Sequence, residues 1–239
     1  MIPARAREAP WLTTRGDAAQ CADVVTIPPA LRLAPYCEQR ARWPAAGRHI
    51  LAQFDDDAVV VYQAYRPEIG RDAAKHGRFG PAWSRSRMSW IKPNFLWMMY
   101  RCGWAAKDGQ EIVLALWLAR AGFDEILAAA VPSSHDTRLH PTRAEWQTAL
   151  TGSDVRLQWD PDHGPGGAPE QRRAIQLGLR GETLRRFADE WLLGIQDITP
   201  LVRAQQPHAE SPWHSLQTPE EHVYRPADEP TALRLGLAH

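Results

Sequence analysis

The chain has 239 residues, with 28 Lys or Arg against 28 Asp or Glu, so it carries no net formal charge and is not a uniformly basic nucleic-acid coat. With 44% apolar and 23% charged residues the composition is globular, which excludes whole-chain disorder, and the length suits one domain with or without tails. The longest apolar run, Ile112 to Ala119, is eight residues, well short of the roughly 20 that a membrane-spanning helix needs.

The opening MIPARAREAPWL lacks the apolar stretch of a secretory signal, and Cys21, Cys37 and Cys102 make no disulfide framework. A cytoplasmic, reducing location and no membrane partner are expected. Residues 1–48 read as an N-terminal extension, because periodicity is weak and Pro28–Pro29 breaks any element, with room for a short helix around 30–41. Residues 49–205 read as the folded unit. AVVVYQAY at 58–65 is β-branched and aromatic and predicts a buried strand. Pro67 and Gly77 bracket a helix over 67–76. RMSWI at 87–91 suits a strand, and Pro93 and Gly103 bracket a second helix. EIVLALWLA at 111–119 is a strong strand, followed by short helices at 122–130 and 141–150. VRLQW at 155–159 and AIQLGL at 174–179 are further strands. GETLRRFADEWLLGI at 181–195 is amphipathic at helical spacing, with Leu184, Phe187, Ala188, Trp191 and Ile195 on one face. Residues 206–239 hold five prolines and clustered charge, five acids against two Arg from 207 on, and read as a Pro-rich acidic tail. Strands and helices alternate irregularly, which predicts an α+β single domain with a mixed or antiparallel central sheet and flanking helices.

Two common phosphate cradles are missing: no GxGxxG follows a strand and no GxxxxGK[ST] loop occurs. GPGG at 164–167 reads as a turn. CxxC and HExxH are absent, and His135 and His140, five apart in a loop, make a poor metal pair, so no metal is expected.

The informative stretch lies between residues 62 and 107, where nine Lys or Arg face two acids. Within it, Trp83, Trp90, Trp97 and Trp104 recur every seven residues, interrupted by Pro93 and Gly103, so a continuous coiled coil is excluded. Two readings stand. The tryptophans are core and rim aromatics, or they wall a site for a planar, anionic ligand, with rings to stack and cations to neutralise. The group taken together points to a nucleotide-type ligand.

VYQAYRPEI (61–69), RMSWIKPNFLWMMYRCGW (87–104), GQEIVLALWL (109–118), VRLQWDPD (155–162), RRAIQLGLRGE (172–182) and DEWLLGIQDITPLV (189–202) resemble the bacterial domain-of-unknown-function family 4291 over about residues 49–203. That resemblance implies no activity. VYQAYRPEIGRDAAKHGRFGP at 61–81 is also similar in layout to the first strand, helix and Gly-aromatic loop of ADP-ribosyltransferases. This second resemblance implies an ADP-ribosyltransferase-like fold, NAD as cofactor and a nucleotide cleft. Gln63 then stands where that fold carries a His or Arg. Tyr65, Trp90 or Trp97 would stack on nicotinamide, and Arg87, Lys92 and Arg101 would hold the pyrophosphate. Glu111, Asp160 and Glu170 are the acid candidates, with Gln63, Asp160 and Glu111 forming the expected catalytic set. Asp160, before Pro161, reads first as a turn or capping residue and second as a carboxylate held at a cleft edge. Gln158 and Gln176, within apolar strands, each need partners if buried and are either structural or ligand-facing. The acceptor is open among nucleic acid, protein and small molecules. A non-catalytic nucleotide- or nucleic-acid-binding domain on the same basic, Trp-rich surface is the competing reading.

Overall fold

The structure, a computed structural model, describes residues 31–237. Residues 1–30, most of the expected extension, lie outside the described residues. The elements run β1 (Leu33–Pro35), α1 (Tyr36–Arg42), β2 (Gly47–Arg48), β3 (Ile50–Ala52), β4 (Ala58–Tyr65), α2 (Pro67–His76), β5 (Ser89–Ile91) and α3 (Phe95–Cys102). Then follow β6 (Ile112–Ala119), α4 (Arg120–Ala129), β7 (Ala130–Pro132), α5 (Arg143–Gly152), β8 (Val155–His163), β9 (Pro169–Leu179) and α6 (Gly181–Arg186). β10 (Leu192–Asp197), α7 (Thr199–Gln205), β11 (Gln217–Pro219), β12 (His222–Tyr224) and α8 (Glu229–Leu235) complete a mixed α/β fold.

In place of one central sheet there are two principal sheets. One is antiparallel, in the order β10-β6-β4; the other is mixed, in the order β2-β9-β8-β7 with β5 paired to β9. β4 and β6 are aligned over eight residue pairs, Ala58 opposite Ala119 to Tyr65 opposite Ile112. Val59 and Val61 face one core cluster with Leu114, Leu116 and Leu118. Val60 and Tyr62 face a second cluster with Val113, Ala115 and Trp117. Both faces are buried, which is why these strands read as unbroken apolar runs rather than as alternation. β8 and β9 form a long hairpin closed by the GPGG turn, where Gly164 N–H donates to the Ala168 carbonyl at 2.8 Å.

The helix signals at α2 and α3 act as read. Pro67 opens α2 and Gly77 closes it at φ 65°. Asn94 caps α3 by accepting from Trp97 N–H at 2.6 Å, and Gly103 closes it at φ 57°. The amphipathic stretch 181–195 does not stay helical. α6 ends at Arg186, a π turn covers Phe187–Trp191, and the chain becomes β10. The open edge of β6 explains the difference: Leu192 to Asp197 pair with Leu118 to Leu114, and a row of buried ladder bonds outweighs local helix preference.

The segments expected to be appendages are built into the fold. β1 pairs with β11, β12 pairs with β3, and Tyr224, Ala232 and Leu235 are buried in the first core cluster. The folded unit therefore extends on both sides of 49–205. Short strands with few apolar residues carry no periodic signal, so charge and proline content dominated the reading of 206–239. No helix among the described residues is long and apolar enough to cross a membrane.

Candidate functional site

The two principal sheets touch through β4 and β5 at a single main-chain bridge. Tyr62 N–H donates to the Lys92 carbonyl at 2.7 Å and Lys92 N–H returns a bond to Tyr62 at 3.2 Å. Beyond it the ladder stops, and side chains span the gap. Gln63 Nε2 donates to Ser89 Oγ at 2.7 Å and to the Trp90 carbonyl at 3.1 Å. Tyr65 hydroxyl donates to Gln63 Oε1 at 2.9 Å and accepts from Trp83 Nε1 at 2.9 Å. Trp83 in turn stacks on Phe79 with ring centroids 4.2 Å apart. Burial pushes the Tyr65 phenol up to about 12, against the opposing hydrogen bonds of Ser89 and Trp83, so the hydroxyl stays protonated as a fixed donor.

A cleft of about 590 Å³ opens at this split, within the range of small-molecule sites. Its wall takes Gln63 and Tyr65 from β4, Trp83 and Arg87 from the loop after α2, and Ser89, Trp90 and Lys92 from β5 and its exit. α3 adds Met98 and Arg101, and Arg66 and Gln110 complete the rim. Trp90 is seated over Gly178 on β9; a Cβ there would lie 2.9 Å from Trp90 Cζ2 and 2.7 Å from Met88 Sδ. Glycine at 178 is thus what admits the indole.

The electrostatics are one-sided. Four cations line the cleft and, among the described residues, no Asp or Glu does. Arg66 is paired with Glu68 at 3.2 Å, whereas Arg87, Lys92 and Arg101 have no ion pair among the described residues. Lys92 is 6% exposed, and among the described residues its ammonium donates only to the Trp90 carbonyl, at 3.4 Å. Burial first, then the neighbouring Arg101 charge, lowers it to about 8; Cys102 and Asp160 act in the opposite sense.

Six of the nine expected residues meet in this wall: Gln63, Tyr65, Arg87, Trp90, Lys92 and Arg101. Gln63, 3% exposed, spends both amide hydrogens on the wall itself, so it braces the cleft. Trp97 does not line it. Trp97 stacks on Tyr100 at 5.4 Å and His163 at 5.3 Å, because the helical turn of α3 carries it off the cleft side. Glu111 accepts from Gly109 N–H at 2.9 Å just before β6, one residue past the rim. Asp160 accepts from Gln176 Nε2 at 2.7 Å, and the same Gln176 amide reaches Gln158 at 2.8 Å, so the strand glutamines are mutually bonded. Glu170 lines a separate cavity beside Arg40 and Arg172. Trp104 leaves the group as well. Gly103, Trp104 and Ala105 form a left-handed turn at φ 57°, 54° and 65°, and Trp104 Nε1 donates to the Pro165 carbonyl at 3.2 Å.

Three contributors escaped the sequence reading. Ser89 is a small polar residue in a short strand, and Gln110 stands in a turn; neither carries a pattern. Glu221, 3% exposed, stands in the expected tail yet anchors α3: Phe95 N–H donates to Glu221 Oε1 at 2.6 Å and Asn94 Nδ2 to Oε2 at 3.3 Å. Burial pushes its carboxyl well above the ordinary range, with the Phe95 N–H bond opposing.

The model of the family described as Domain of unknown function (DUF4291) matches residues 49–224, so the chain belongs to that family. The match reaches past 205 to include Glu221 and Tyr224, in keeping with their place in the fold. No curated protein matches the chain.

Proposed function

We propose that this member of the DUF4291 family binds a nucleotide-type ligand in the cleft between β4 and β5, with NAD as the ligand and ADP-ribosyl transfer as the chemistry. The observation that carries the reading is the joint placement of Tyr65, Trp83 and Trp90 with three unpaired cations, Arg87, Lys92 and Arg101, around one cavity. Rings stack on a base or nicotinamide, and cations of fixed position neutralise a pyrophosphate. The order strand β4, helix α2, glycine-aromatic loop and strand β5 around the cleft supports the ADP-ribosyltransferase-like assignment. In that chemistry, cleavage of the nicotinamide–ribose bond develops positive charge on the sugar, which a nearby carboxylate stabilises. Asp160 is the candidate, since its field reaches Lys92 on the cleft floor.

A second reading is favoured by one specific observation: among the described residues, no Asp or Glu lines the cleft. On it, the site binds a nucleotide or single-stranded nucleic acid without turnover. Calorimetric titration with NAD, run beside an assay for released nicotinamide, separates the two. Binding with release supports transfer. Binding without release supports the second reading. If NAD, ADP and a single-stranded oligonucleotide all fail to bind at millimolar concentration, both are wrong.

A further inference from the structure

Lysine is scarce in this chain: of 28 basic side chains only Lys75, Lys92 and Lys107 are Lys. Lys75 and Lys107 are exposed. Lys92 is buried, yet lines a cavity whose wall, among the described residues, holds no carboxylate. The charged or titratable groups that act on its amine are Arg101 and Cys102 from α3 and Asp160 from β8. A desolvated amine beside a second cation is the arrangement that turns lysine into a nucleophile, because the neutral form becomes accessible near neutral pH. Arginine cannot serve this way, since it keeps its proton. In a chain that uses Arg nearly everywhere, the one buried cation of the cleft is the residue able to lose its proton.

We propose that the cleft is a covalent capture site for a phosphorylated aldehyde, with Lys92 Nζ as the attacking atom and the Arg87 and Arg101 guanidiniums as the seat of the phosphate. The amine lone pair forms the N–C bond as the C=O π pair moves to oxygen. That oxygen then leaves as water with the two amine hydrogens, and an imine remains. No oxidant or reductant enters the step. Burial lowers the ammonium to about 8, so about a tenth of Lys92 is neutral at pH 7. The phosphate seat supplies proximity, which makes the encounter effectively intramolecular. The proposal goes beyond nucleotide recognition and stands whether or not NAD binds.

The test uses the full chain and pyridoxal 5′-phosphate at pH 7.5, followed by borohydride reduction and peptide mass mapping of the three lysines and the N-terminal amine. Borohydride delivers hydride to the imine carbon and fixes the adduct. The expected result is at least tenfold more adduct on Lys92 than on Lys75 or Lys107. It falls several-fold in an Arg87→Gln, Arg101→Gln variant and several-fold when 5′-deoxypyridoxal, which lacks the phosphate, replaces the probe. Lys92→Arg loses the cleft adduct while circular dichroism is unchanged. Equal labelling of the three lysines, an unlabelled Lys92 in folded protein, or equal labelling by both aldehydes overturns the proposal. The wild-type map decides the matter even if a variant fails to fold.

Discussion

Lys92→Met makes the protein more stable and weakens its hold on an anion. The change replaces a buried ammonium with an apolar chain of similar length, and the Trp90 carbonyl keeps its bond from Gln63 Nε2 at 3.1 Å. The lysine falls from 10.5 to about 8 on folding. Between these values the unfolded chain binds the extra proton, so wild-type stability rises with pH across this window and is held down below it. The penalty at pH 7 is about 3 kcal/mol, shrinking to about 2 kcal/mol at pH 9. For a domain of this size that is a melting temperature roughly 6–12 °C higher in the variant near pH 7. Urea unfolding of both proteins from pH 6 to pH 9 measures the gap and its slope. A variant no more stable than wild type at pH 7, or a gap that ignores pH, refutes the claim that this ammonium is held desolvated in the cleft wall.

Tyr65→Phe strips Trp83 Nε1 of its acceptor and Gln63 Oε1 of its donor, and is expected to cost about 1–3 kcal/mol in urea unfolding. Gly178→Ala drives a methyl into Met88 and Trp90; about 1–3 kcal/mol of destabilisation and a shifted tryptophan emission are expected, the shift marking displacement of the cleft indole. Glu221→Gln keeps an oxygen for Phe95 N–H but removes the proton linkage. Because the wild-type carboxyl is raised on folding, wild-type stability falls as pH climbs above the ordinary carboxylate range. The variant should therefore gain in stability relative to wild type as pH rises from 4.5 to 8, as read by thermal melts across that range.

What the sequence makes legible follows from where the physics is local. Pro67, Gly77, Asn94 and Gly103 act through their own dihedrals and hydrogen bonds, so α2 and α3 are readable from the chain. β4 and β6 are buried on both faces, and unbroken apolar runs announce that. β10 is not readable, because its helical periodicity is overridden by the unpaired edge of β6, more than seventy residues away in sequence. The cleft was legible in part for the same reason. Its cations and aromatics crowd a short segment, so Arg87, Trp90, Lys92 and Arg101 arrive together once β5 and α3 form. Trp97 left the group because seven-residue spacing across a strand and a helix does not keep one face. Glu221 stayed hidden because a buried acid in a proline-rich stretch gains meaning only from the helix end it meets.

The most direct measurement of the account is a titration of NAD into the full chain at pH 7, followed by tryptophan emission. Trp83 and Trp90 line the cleft, so a stacked ligand quenches part of the signal. The expected result is saturable quenching in wild type that weakens at least tenfold in an Arg87→Gln, Arg101→Gln variant whose fold is unchanged. No quenching at millimolar NAD, or quenching that the double substitution leaves untouched, contradicts the assignment of the β4–β5 cleft as the nucleotide site.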